Sequence, residues 1–412
     1  MRRLGAAFAA ASFISLFLHH SAYARPITLP EALAAADRGP MLASAAADVD
    51  EARGNLEQAG VYTYNPSVAG SAGVARSGGA TFFDFELGVS QRIEVGGKRS
   101  ARKRVATKER DAALQRLEAT RNALRAEVRR AFHLAIAAHR RVEVATENER
   151  AARQFQEAAS ERMRLGAATQ TDINVAAASL GRAIAQTKRA ARDVLLARQA
   201  LADALGASGA DLEPTGGLPT FPAIASEQEL VAHALRARRE LAAAEHVIAA
   251  RKSDVELADA LAVPDPELSV SIARDAVDNA NALIAGVSID LPLWNRNQGN
   301  RSAARARQKR AEIEGQALRA QVERDVRVAA RRYRAAVEAV AAFDEQVVGT
   351  LAENLQLARD AFAAGKLGLL DLNVIRRDLV ESQLVYLDSI AEAIDARTAL
   401  EVALGRSLEG TP

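Results

Sequence analysis

Residues 87–104 read LGVSQRIEVGGKRSARKR: an alternating run, then Gly96-Gly97-Lys98, then a stretch dense in Arg and Lys. A strand that ends in Gly-Gly-Lys and opens into a helix has the outline of a phosphate loop, but the spacing fails. Such a loop needs Gly, four residues, then Gly-Lys-Ser or Gly-Lys-Thr. Here Arg92 stands where the first glycine should be, and Arg99 follows the lysine. What remains is a strand-to-helix junction at which Gly96 and Gly97 supply the bend. Upstream, Phe83, Phe85, Leu87, Val89 and Ile93 alternate with Asp84, Glu86, Gly88 and Ser90, the period of a strand with one apolar face. Downstream, no proline or glycine occurs from Lys98 to Met163, and a helix of that length spans about 100 Å.

The same design recurs. GAATQTDINV from Gly166 and GKLGLLDLNV from Gly365 share Gly, five residues, Asp, an aliphatic residue, Asn and Val, at an offset of 199. Leu205-Gly206 recurs as Leu404-Gly405 at 199, Val89-Ser90 as Val287-Ser288 at 198, and Pro66 as Pro266 at 200. Four anchors near one shift make the chain a tandem duplication. The first copy runs over 25–206 and the second over 226–412. A Gly- and Pro-rich linker at 207–225 joins them and is expected to run along the surface.

Each copy has one order: helix, two strands, very long helix, return helix. In the first, a helix broken near Gly39-Pro40 precedes strands at about 67–76 and 81–93, a long helix at about 98–163 and a return helix at about 170–205. In the second, strands are expected at about 267–274 and 282–293, the long helix at about 299–363 and the return helix at about 369–405. On the first long helix Leu114, Leu117, Leu124, Val128, Ala131, Ala135, Ala138 and Val142 form a stripe interrupted at Arg121. On the second, Leu318, Val322, Val326, Ala329, Tyr333, Val337 and Val340 average near 3.67 residues per turn. That spacing favours a nearly straight or slightly right-handed path.

Composition narrows the function classes. Half the residues are apolar, 49%, yet only 4% are aromatic, which suits long, closely packed helices. Arg2 and Arg3, an apolar run from Leu4 to Leu18 and the small-x-small site Ala22-Tyr23-Ala24 predict a secretory signal peptide over 1–24. Its removal leaves 52 basic against 52 acidic residues, so nucleic-acid binding has no electrostatic support. There is no cysteine, which excludes disulfides, thiolate metal sites and Cys-linked lipid. His133, His139, His233 and His246 lack metal-ligand spacing, and no Gly-x-Ser-x-Gly occurs. Neither an enzyme nor a cofactor is expected.

Strands of about ten residues with one apolar and one polar face suit a tilted crossing of an outer membrane. Four strands cannot close a lipid-facing barrel, because open edges would leave backbone groups unsatisfied in hydrocarbon. Closure needs several chains, and a trimer supplies twelve strands.

The duplicated strand-strand-helix-helix order, QRIEVGGKR, its partner IDLPLWNRNQGN and the two Gly-x5-Asp turns resemble the TolC-like outer membrane efflux protein family. The junctions resemble most its cobalt-zinc-cadmium, or heavy-metal, branch. The resemblance implies a mainly α channel-tunnel: a trimeric twelve-strand outer membrane barrel above a periplasmic helical barrel. An adaptor protein would couple it to a proton-driven inner-membrane pump. The chain would be a passive exit duct for metal cations or small toxic compounds. The outer membrane duct of a type I protein secretion system uses the same fold, and a periplasmic coiled-coil scaffold is the alternative of another class.

The resemblance also assigns sites. Arg164, Leu165, Gly166, Gly365, Lys366 and Leu367 are expected at the tip that meets the adaptor, although glycines there also suit plain helix caps. Asp172 and Asp371 match acids of the tunnel entrance, one in locking contacts and one in a pore-facing ring, or else are simple helix-start acids. Better-known relatives carry a second acid three residues after the match to Asp371, where this chain has Val374. At the membrane-tunnel junction, Gly96 and Gly97 turn the chain while Lys98, Arg99, Arg102, Lys103 and Arg104 are expected to face anionic headgroups or solvent. In the other copy Trp294 is expected to anchor the interface before Arg296, Gly299 and Arg301.

Overall fold

The two hairpins of the duplication lie edge to edge. A computed structural model describes residues 25–275, 280–343 and 345–408; the expected signal peptide and residues 276–279 lie outside the described residues. Strands β2 (Ser67–Ser77) and β3 (Ala80–Arg92) of the first copy join β5 (Glu267–Asp275) and β6 (Ala280–Ser288) of the second in one antiparallel sheet of order β2-β3-β5-β6. The first hairpin closes on Gly78 and Gly79, with φ of 61° and 88°, the two left-handed residues that a tight hairpin turn demands.

Register gathers most of the large apolar residues on one face. Val68 pairs with Val89, Leu87 with Ile272, Val89 with Val270, and Leu268 with Val287. The result is a continuous apolar surface that stays exposed: Val68 is 71% accessible, Phe83 67% and Leu283 74%. The opposite face carries Ser67, Ser90, Glu267 and Ser269, tied by hydrogen bonds from Ser90 Oγ to Glu267 and between Ser67 and Ser90.

Below the sheet stand the helices. α3 (Lys98–Arg164) is a single helix of 67 residues, rich in good helix formers and laced by i,i+3 and i,i+4 pairs such as Glu147–Arg150 and Glu149–Arg153. It packs along α4 (Gln170–Ala204), α2 (Pro40–Gly60), α6 (Arg239–Ala260) and α9 (Leu369–Leu404). α1 (Leu29–Ala36), α3 and α4 share a core around Leu124, Val128, Phe132 and Leu201. α5 (Glu227–Ala237), α7 (Gln298–Ala341) and α9 share the corresponding core around Val322, Val326, Tyr333 and Leu400. The seven stripe positions from Leu318 to Val340 all belong to this second core or pack on it. The repeated Leu-Gly anchors are helix stops: Gly206 and Gly405 have φ of 67° and 70°. After each, a backbone N–H returns to the carbonyl five residues back, the Schellman arrangement that glycine favours.

Three features differ from the sequence expectations. Residues 25–27 are not helical but form β1 (Arg25–Ile27), paired in parallel with β4 (Leu212–Pro214). The linker at 207–225 runs mostly exposed along the surface and is pinned at a few points: Leu212 is buried, Leu218 and Phe221 pack on the cores, and Tyr333 donates to Pro222 O at 2.8 Å. Burial raises the Tyr333 pKa to about 12. The second long helix is two, α7 and α8 (Glu345–Ala363). Its last turn tightens at Phe343, whose N–H bonds Val340 O, and the Phe343 ring lies 6.4 Å from that of Tyr386. β6 ends at Ser288 rather than at 293, and Pro292, with no N–H to give a ladder, follows soon after.

Candidate functional site

At the end of the helices remote from the sheet, two turns come together. α3 ends at Arg164, and Gly166 (φ 73°) reverses the chain; α8 ends at Ala363, and Gly365 (φ 71°) does the same. Ala167 N–H bonds Arg162 O and Lys366 N–H bonds Ala361 O, both at 2.8 Å, so one cap motif was written twice. Phe155, Ala159, Ala176, Ile173 and Phe362 pack beneath the turns, and the Arg162 guanidinium lies 5.2 Å above the Phe362 ring. Outside this packing, Arg164 pairs with Glu161 at 2.6 Å, Leu165 is 71% exposed, Lys366 is exposed and Leu367 half-buried. The turns thus present a small surface of mixed character.

The two acids of the motif differ. Asp172 Oδ2 accepts from Thr169 N–H at 2.7 Å and Thr169 Oγ1 at 2.8 Å, while Thr169 Oγ1 accepts from Asp172 N–H. This reciprocal capping box, with the Thr169 backbone bond foremost, holds its carboxyl below the usual range. Asp371 has no such partner, because the capping position is Gly368, which lacks a side chain. Asp371 is exposed, with no side-chain hydrogen bond or ion pair among the described residues. Only one of the two carboxylates is left to act on something else.

Above the turns lies a polar cluster that sequence reasoning missed. Asn373 and Arg376 of α9, Ser179 of α4 and Asn148 of α3 bond one another across the helix interfaces. Asn373 is the repeat partner of Asn174, yet Asn174 is exposed and accepts from Gln170 alone among the described residues. The shared motif gave no signal of that difference.

The junction corrects its reading. Lys98 does not face headgroups: its Nζ lies 2.7 Å from Asp265 Oδ1, and both side chains are 6% exposed. Asp265 also accepts from Tyr64 OH at 3.0 Å and Val95 N–H at 2.9 Å. Arg102 makes a two-pronged pair with Glu94, Arg99 Nε donates to Gly60 O, and Arg104 pairs with Glu256. Arg99, Lys103 and Arg104 remain exposed, but all of the run except Lys103 is tied to other parts of the chain, because strand, helix and loop converge near Glu94, Glu256 of α6 and Asp265 before β5. Gly96 and Gly97 have φ of 75° and 73°, as a bend requires. In the second copy the left-handed residue is Asn297 (φ 58°), 200 positions after Gly97, and not Gly299, which lies within α7. Asn297 Nδ2 fastens the bend to Ala258 O at 2.8 Å. Trp294 stands 86% exposed beside it, with Leu291 and Leu293 also exposed. Arg296 Nε turns back to Pro292 O.

Among the described residues no helix is long and apolar enough to cross a membrane. The sheet is different. Its apolar face is bare, and β2 and β6 have no further strand partner among the described residues. Such a sheet suits hydrocarbon on one face and water on the other, provided its edges are paired.

A profile of the family described as "Outer membrane efflux protein" matches residues 33–207 and 230–406. The cobalt-zinc-cadmium resistance protein CzcC of Cupriavidus metallidurans is 29% identical over 385 residues, 93% of this chain and 91% of that protein. Among solved structures, a CusC channel superposes with a TM-score of 0.74 at 19% identity, covering 92% of each chain. The outer membrane protein VceC of Vibrio cholerae gives 0.73 at 22% identity, over 92% of this chain and 97% of that one.

Proposed function

Because the chain belongs to the outer membrane efflux protein family, we propose that three copies form the exit duct of a tripartite metal-efflux system. The fold is TolC-like, mainly helical and built by tandem duplication, and the protein belongs in the outer membrane with its helices reaching into the periplasm. The observation that carries the duct reading is the bare apolar face of the four-stranded sheet, joined through the short bend at 93–97 to a 67-residue helix. Three such sheets, paired β6 to β2, give twelve strands and leave no open edge. A coiled-coil scaffold has no use for such a face.

The duct conducts and does no chemistry. Energy comes from a proton-driven inner-membrane pump, reached through a periplasmic adaptor that docks on the turns at Arg164, Leu165, Gly166, Gly365, Lys366 and Leu367. Exposed Leu165 supports the apolar part of that contact and Arg164 and Lys366 its polar rim. Three Asp371 carboxylates around the threefold axis form an acidic constriction that concentrates cations, and Asp172 holds the turn that presents them. Trp294 seats the barrel at the lipid interface, with Leu291 and Leu293 beside it.

Metal cations are favoured as cargo by the likeness to a cobalt-zinc-cadmium resistance protein. Deletion of the gene, scored for growth across cobalt, zinc, cadmium, hydrophobic drugs and exported polypeptides, tests this. Metal hypersensitivity restored by the parent gene is expected. Unchanged metal tolerance with loss of a secreted polypeptide would transfer the duct to type I secretion.

A further inference from the structure

Arg376 is a buried cation with no acid paired to it among the described residues. It is 7% exposed. Its Nη1 donates to Asn148 O at 3.1 Å and Asn148 Oδ1 at 3.0 Å; its Nη2 donates to Ser179 Oγ and Asn373 Oδ1, both at 2.9 Å. All four acceptors are neutral, and buried Nε has no partner among the described residues. Burial, then the positive charges of Arg182 and Arg359, hold its pKa below the ordinary guanidinium value. A buried charge facing like charges is costly unless a counter-ion joins it.

Beside Arg376, between α3, α8 and α9, lies a cavity of about 250 Å³. Arg359, Arg376, Gln154 and Asn373 supply its polar lining, Phe155, Phe362 and Leu372 its apolar lining, and among the described residues no carboxylate lines it. The Arg376 guanidinium sits 5.9 Å from the centre of the Phe155 ring, where charge meets apolar surface. Two guanidinium groups and two side-chain amides beside two phenyl rings match a carboxylate on a compact hydrophobic body. The volume falls below the roughly 300–1,000 Å³ of drug-sized sites, which restricts that body to a single ring or a short branched chain.

We propose that this cavity binds a small organic monoanion, its carboxylate against Arg359 and Arg376 and its body against Phe155 and Phe362. The occupant bridges α3 to α8 and α9, close above the turns. An inorganic anion leaves the phenyl wall unused.

Calorimetric titration of the full-length protein in detergent, with benzoate, benzamide and sulfate as probes, tests the site. Saturable benzoate binding at one per chain is expected, with benzamide weaker by at least about tenfold, since a charged hydrogen bond is lost. R359Q and R376Q should each weaken benzoate by at least about tenfold. Arg359 is exposed, so R359Q remains decisive even where R376Q disturbs the fold. No saturable benzoate binding, equal binding of benzamide, or undiminished binding by R359Q overturns the proposal. Sulfate that displaces benzoate at equal concentration overturns the organic class. Flux plays no part in these readouts, so the duct reading and this site stand or fall separately.

Discussion

Lys98 Nζ lies 2.7 Å from Asp265 Oδ1 in a site where both side chains are 6% exposed, and the pair ties the first helix residue of one copy to the loop entering the sheet of the other. Lys98→Met leaves the Asp265 carboxylate buried, with only Tyr64 and Val95 to hold it. Breaking such a pair on one side costs about 3–5 kcal/mol. Thermal unfolding of the detergent-solubilised protein should show that loss. Lys98→Met with Asp265→Leu should recover much of it, because no lone charge remains.

The same site sets an acid limit. Burial works to raise the Asp265 pKa, but bonds from Lys98, Val95 and Tyr64 outweigh it and hold the carboxyl below its ordinary value of 3.8. A depressed folded-state pKa means stability that is whole above the unfolded value, roughly pH 4, and lost as pH falls through the folded one. Denaturation midpoints should therefore be flat in this respect from neutral pH to about 5 and drop below about 4. Asp265→Asn should be less stable at neutral pH and less sensitive to acid.

Asp172 and Asp371 should separate in bilayer recordings. Asp371 has no capping partner, so Asp371→Asn is expected to relieve block by divalent and trivalent cations with little effect on unfolding. Asp172 is held by Thr169, so Asp172→Asn is expected to loosen the turn and leave block largely unchanged. Equal block in Asp371→Asn and the parent protein would remove the acidic ring.

Two glycine stops of similar φ differ in surroundings. A Cβ on Gly166 meets nothing within 4 Å, whereas one on Gly206 would lie 2.5 Å from Pro40 Cδ at the start of α2. Gly166→Ala should cost only left-handed strain, about 1–2 kcal/mol. Gly206→Ala adds overpacking of about 1–3 kcal/mol, and the two melting curves should rank accordingly.

Local physics made much of the fold legible. The absence of proline and glycine from Lys98 to Met163 became α3, and the alternation from Phe83 to Val89 became β3. The break between α7 and α8 had no such herald, since neither proline nor glycine occurs at 342–344. In the second copy no glycine marks the bend: Gly299 lies within α7, and Asn297 takes the left-handed conformation that Asn can also adopt. At the tip, the sequence brought Asp172 and Asp371 to equivalent places; a threonine before one and a glycine before the other made one a cap and left the other open.

By itself the sequence determined the duplication, the amphipathic strands, the long helices and the helix stops, because periodicity and breaker residues act over a few neighbouring positions. Tertiary structure alone decided how the charges are spent. Lys98 finds Asp265, Arg129 finds Glu401 at 2.9 Å, and Arg376 finds no acid among the described residues. A charge written on a helix states only that it needs water or a partner; which of these it gets depends on segments far away in the chain, and folding alone brings them within reach.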